Sequence, residues 1–164
     1  MQNKIDTQLT GAAGEHLVLS RLLSRGVLAA QAPRGARKAD ILVNFLDGRL
    51  SCLLQVKSRQ AGGALGWHMQ AKHESQTESD LFFCFVDFEP DQPRVFVMPA
   101  AVAAEAIRLD HSTWLATPGK NGQPHNETKF RRLRDNSLGK QDGWLNEYLE
   151  KWDLIESLHE DELR

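Results

Sequence analysis

The stretch "ADILVNFLDGRLSCLLQVKSRQ", residues 39–60, decides the reading of the fold. Two apolar runs rich in β-branched and aromatic residues, "ADILVNFL" and "RLSCLLQVKS", flank Asp47-Gly48. That dipeptide is a strong two-residue hairpin signal. With Asp47-Gly48 as the loop, Phe45 faces Leu50, Val43 faces Cys52, Ile41 faces Leu54, and Asp40 faces Gln55. Cross-strand partners on one face sit about 5 Å apart at Cβ. Lys57, two residues beyond Gln55, projects from the same face. An acid, an amide and an ammonium therefore converge where an apolar hairpin ends.

Upstream, "TGAAGEHLVLSRLLSRG" predicts a helix with Thr10 as N-cap and Gly26 as its stop. Glu15, Val18, Leu19 and Leu22 share one face at helical spacing. Gly11, Ala12, Ala13 and Gly14 are small and permit close approach of that end to a neighbour. "VLAAQAP" reads as a short strand and "RGARK" as a basic loop. Downstream, "GGALGWHMQAKHESQTES" reads as a polar loop with room for a short helix. "DLFFCFVDF" is apolar on both faces, which suits a central covered strand. "RVFVMP" is another strand, and "PAAVAAEAIRL" a helix with Pro99 at its first position. "DGWLNEYLEKWDLIESL" predicts a closing helix whose Trp144, Tyr148 and Trp152 form a core stripe rather than a ligand cage. The 164 residues suit one domain, without repeats or a linker, with its core at about 10–108 and a C-terminal helical extension over 109–164. Helices on both sides of a mixed sheet give an α/β or α+β layered fold.

Singly, a strand lysine, a glutamine and an aspartate are ordinary structural residues. Together with Glu15 from a packed helix, they offer hard oxygen donors suited to Mg²⁺ or Mn²⁺. A lysine beside such a cation can position water and stabilise charge on a phosphoryl group.

This pattern resembles the PD-(D/E)xK nuclease superfamily, through "GEHLVLSRLLSRG", Asp40 in "ADILV", and "LLQVKS". Motifs carry the resemblance over residues 10–60, and element order extends it to about 108. It implies an α/β fold with a restriction-endonuclease-like α-β-β-β-α-β core, in which a mixed central sheet is flanked by helices. It implies metal-dependent hydrolysis of DNA phosphodiesters, with Glu15, Asp40, Gln55 and Lys57 as catalytic residues. Glu15, Asp40, Gln55 and the Val56 carbonyl would hold Mg²⁺ or Mn²⁺. Gln55 departs from the usual Asp or Glu, and so resembles the Gln-x-Lys branch of homing-endonuclease and resolvase type. The partner implied is DNA, and many such nucleases work as homo-oligomers. The alternative is a nuclease-like fold that no longer cuts and serves as a DNA-binding or protein-interaction module. A third reading is an interaction domain whose polar cluster is only a buried network.

Net charge is −2, unevenly spread: residues 1–60 carry +5, 61–116 carry −5, 117–140 carry +4 and 141–164 carry −6. The candidate phosphate contacts are Arg34, Arg37 and Lys38 in the basic loop, Arg59 after the site, and Lys129, Arg131, Arg132 and Arg134 in "KFRRLR". Solvated surface is an equal reading of "KFRRLR", and sequence does not divide the two. His68 and His73 are five apart, off the pairing of a zinc helix. Cys52 and Cys84, both in apolar runs, read as buried reduced thiols. No run reaches membrane-spanning length and the N-terminus has no leader pattern, so a soluble cytoplasmic protein is the expectation. The acidic end "HEDELR" reads as a solvated, partly disordered tail.

Overall fold

The computed structural model describes residues 6–63 and 65–160. The leader expectation falls partly on residues 1–5, and the tail expectation over 159–164 mostly on 161–164, outside that range, while 159–160 end the last helix. Among the described residues no helix is long and apolar enough to cross a membrane.

Helix α1, Thr7–Ser24, begins a turn earlier than Thr10. Asp6 is the N-cap, its Oδ1 accepting the Gln8 N–H at 2.6 Å, while the Thr10 hydroxyl donates to the Asp6 carbonyl inside the first turn. Val18 and Leu22 are fully buried and Leu19 packs beside them, so the predicted stripe is the one that docks. The strands are β1 (Leu28–Gln31), β2 (Ile41–Asn44), β3 (Leu50–Arg59), β4 (Trp67–Gln70), β5 (Leu81–Asp87) and β6 (Arg94–Pro99). Helix α2, Ala100–Ala116, follows β6 with Pro99 at its N-cap, one position before the expected N1. β7 (Phe130–Leu133) and α3 (Asp153–Glu160) complete the chain.

The main sheet has the order β1-β2-β3-β5-β6 and is mixed. β3 and β5 are parallel, and every other pair in it is antiparallel. The crossover from β3 to β5 carries β4 and a 3-10 turn, Ala71–Ser75, so the polar loop expected there contains a strand. β4 pairs with β7 to make a separate two-stranded ribbon.

Strand alternation builds two cores. On one face Leu54, Val56, Phe82, Cys84 and Val86 pack with Val18 and Leu22 of α1 and Ile155 of α3. On the other, Phe83, Phe85 and Met98 pack with Ala103 and Ile107 of α2 and with Trp67, Met69 and Leu133 of the ribbon. β5 is buried along its whole length, as a strand apolar on both faces requires. Cys52 and Cys84 are free and buried, and burial pushes the Cys52 thiol up to about 12.

The predicted closing helix is broken. Trp144–Tyr148 forms a 3-10 turn, and Glu150 adopts φ 50° before α3 starts. The Glu150 carboxylate accepts from Arg21 of α1, from the Val95 N–H at 2.9 Å and from Trp152 Nε1 at 2.7 Å. Three partners on three elements outweigh continuous helical hydrogen bonding there. The aromatic stripe is consequently split: Trp144 and Tyr148 border one core, and Trp152 is buried in the other.

Candidate functional site

The hairpin pairs Ile41 with Leu54, Leu42 with Leu53 and Val43 with Cys52, the register expected from the sequence. The route differs. The loop is residues 46–48, closed by the Phe45 N–H on the Arg49 carbonyl at 2.8 Å, with Gly48 at φ 90°. This three-residue loop shifts the register by one, and an irregularity at Val43/Asn44, which pairs Asn44 with Leu50, shifts it back.

Asp40 lies just before β2 and is held at three points. Its N–H donates to the Leu54 carbonyl at 2.8 Å and its carbonyl accepts from Ala32 at 2.9 Å. Its Oδ2 accepts the Val56 N–H at 2.7 Å. The carboxylate is thus turned into the edge of β3 rather than standing beside Gln55 on the sheet face. In a strand the N–H and C=O of one residue point the same way, so the Val56 carbonyl emerges on the Asp40 side.

Gln55 and Lys57 are half-buried on the face of β3 opposite Leu54 and Val56. Gln55 Oε1 is buried without a hydrogen-bond partner, an unfavourable state for an amide oxygen unless something binds it. Lys57 is drawn below the usual lysine range by burial; the Asp40 carboxylate opposes that, and Lys72 adds to it.

Glu15 reaches this region because α1 crosses β3 closely at Gly14. A Cβ at Gly14 would collide with the Ser58 side chain. The Glu15 carboxyl is raised above its ordinary value, first by burial and then by the Asp40 carboxylate, with His16 acting the other way. Glu15, Asp40, the orphaned Gln55 Oε1 and the Val56 carbonyl are oxygen donors of the kind that suits a hard divalent cation, and of these the Glu15 and Asp40 carboxylates repel one another. Among the described residues no cluster of three His, Cys, Asp or Glu forms a metal site.

The eight candidate phosphate contacts divide. Lys38 is ion-paired with Glu78. Arg59 is largely buried against Asp87 at 3.0 Å and over the Trp67 ring. Arg131 is buried between Glu74 and Glu127, and Arg134 holds Asp110 at 3.2 Å. These four are engaged in structure. Arg34, Arg37, Lys129 and Arg132 have no ion pair among the described residues, and all but the half-buried Arg132 are exposed.

The ribbon brings Gln70 and Phe130, which the sequence did not flag, together with His68 and Arg132. Its inner face, with Trp67, Met69 and Leu133, joins the core, so His68, Gln70, Phe130 and Arg132 form its outer face. His68 and Phe130 divide a cavity containing Lys57 from one of about 450 Å³ lined by Trp114, Arg131 and Arg132. A polar loop reading of "WHMQ" concealed this, because four residues show too little alternation to mark a strand.

No family model matches the chain, and no curated protein matches it. Among solved structures it is similar to the bacterial homing endonuclease I-Ssp6803I, with 17% sequence identity, 96% of each chain covered and a TM-score of 0.57. At that identity the likeness is one of fold, and the fold is nuclease-like.

Proposed function

We propose that this protein is a metal-dependent endonuclease that hydrolyses DNA phosphodiester bonds through a PD-(D/E)xK site of the Gln-x-Lys kind. The observation that carries the reading is the anchored Asp40 carboxylate, which acts electrostatically on both Glu15 and Lys57, with the orphaned Gln55 oxygen on the same strand as Lys57. Nuclease-like architecture supports it.

In this reading Glu15, Asp40, Gln55 Oε1 and the Val56 carbonyl hold Mg²⁺ or Mn²⁺. The cation, when bound, would withdraw charge from the phosphoryl oxygen and ease attack by water. Asp40 contributes a carboxylate already fixed by the Val56 N–H, so little ordering remains to be done on binding. Lys57 directs its ammonium at the attacking water or a phosphate oxygen, where a donor in a half-buried site acts more strongly than in bulk water. The outer face of the ribbon, with Arg132, Gln70 and Phe130, and Lys129 just before β7, would take the duplex. Arg34 and Arg37 provide phosphate contacts on the loop before Asp40.

The test is nicking of supercoiled plasmid by the purified chain with Mg²⁺ or Mn²⁺. We expect cutting that EDTA abolishes and that falls by about 100-fold or more in Lys57→Ala. Folded protein that binds duplex DNA but cuts no better than Lys57→Ala would replace this reading with that of a non-cutting DNA-binding module.

A further inference from the structure

Lys57 forms one wall of a cavity of about 220 Å³, shared with His68, Gln70, Lys72, His73 and Phe130. No acid lines it. Glu74, on the same 3-10 turn as Lys72 and His73, is committed to Arg131. His73 is 2% exposed, and its Nδ1 accepts the Gln70 N–H at 2.9 Å. A neutral imidazole accepting at Nδ1 carries its proton on Nε2. That Nε2 is buried and has no partner. The ring is fixed edge-on against Phe83, with centroids 5.8 Å apart.

Electrostatics point the same way. Burial, then Lys57 and Lys72, push the His73 imidazole down to about 4, so it stays neutral near pH 7. Lys72 is exposed and has no ion pair among the described residues. Lys57 and Lys72 therefore line one space that no acid lines, and the unpartnered His73 Nε2–H is buried in its wall; the Asp40 carboxylate acts on Lys57 from outside that lining. An oxyanion there would accept the Nε2–H and relieve the mutual repulsion of the lysines.

We infer that the Lys57–Lys72–His73 cavity is a phosphate-binding site, which takes the phosphodiester neighbouring the one attacked. This rests on the nuclease reading above. Lys72 and His73 are positioning residues, holding the strand while Lys57 faces the reacting group. Phe130, 62% exposed at the rim, offers a ring on which the adjoining base can stack.

The test follows the His73 side-chain NMR signals of the full chain in EDTA. A short mixed-sequence DNA duplex is added in one arm and inorganic phosphate in the other. The expected result is a saturable shift of the Nε2–H signal with the duplex, and binding about tenfold weaker in Lys72→Gln. Lys72 is exposed, so this variant should fold normally. A His73 signal unmoved by a duplex that binds elsewhere on the protein would overturn the proposal. A shift with inorganic phosphate alone would overturn its assignment to the strand. Metal-dependent nicking with no His73 shift would sink this inference and leave the nuclease reading standing. A saturable shift without nicking would keep the phosphate site and sink the nuclease reading, and with it the placement beside an attacked phosphodiester.

Discussion

Glu15 is the residue whose state without metal is least comfortable. Its carboxyl is raised by burial and by Asp40, so the folded protein binds that proton more tightly than the unfolded chain. Its contribution to stability is therefore full below the ordinary carboxyl range and is lost as pH rises through the raised value. At neutral pH Glu15 weakens the metal-free fold. We expect Glu15→Gln to raise Tm in EDTA at pH 7 by about 1–2 °C. On the metal-site proposal, millimolar Mg²⁺ or Mn²⁺ should raise the parent protein's Tm, and the same variant should lose most of that increase. Calorimetry with and without metal checks both. A Glu15→Gln protein that melts lower in EDTA and still responds fully to metal would place Glu15 outside any cation site. Asp40, Gln55 and Lys57 drew notice in the sequence because polar residues interrupting apolar strands stand out. His73 was not, because burial of a histidine within "AKHES" depends on β5 and the ribbon, which are remote in sequence.

Among the elements, α1 and β3 make the contact on which the site depends. Gly14 lies against Ser58, whose Oγ is buried without a hydrogen-bond partner. Gly14→Ala should gain helix propensity yet destabilise by about 1–3 kcal/mol, because β3 cannot retreat without disturbing the sheet. Ser58→Ala removes the atom first struck. Chemical denaturation of the two single variants and the double variant should therefore show strong positive coupling, with most stability recovered. Additive losses would mean that α1 moves freely and that Gly14 does not set its distance. The hairpin shows how far pattern reading reaches at this scale. Alternation of buried residues fixed the register from Ile41 to Val43 although the loop length was misjudged, since a slip of one would have exposed Val43 and Cys52. The broken closing helix was invisible for a different reason. Its spacing is helical, and only the partners of Glu150 on α1 and β6 reveal why the chain departs from it.

At the scale of the whole molecule, Glu150 ties α1 and β6 to the start of α3. Glu150→Ala would leave the Val95 N–H without its side-chain acceptor at the sheet edge, and Arg21 with the Pro93 carbonyl alone. A loss of about 2–4 kcal/mol is expected, read as a lower denaturation midpoint with the slope unchanged. A loss below about 0.5 kcal/mol would mark the cluster as solvent-screened surface. Layering, sheet and central strand were readable from apolar periodicity, whereas the ribbon needs β7, some sixty residues after β4, before either strand has a partner. The site itself draws on both layers. Glu15 arrives with the core that α1 covers, and Lys57 faces the core that α2 and the ribbon cover. Neither half of the molecule holds the whole donor and lysine set. On the nuclease reading proposed above, a newly made chain with one core consolidated and the other still open would be harmless to the cell's own DNA, and competence would arrive only with the last layer to settle.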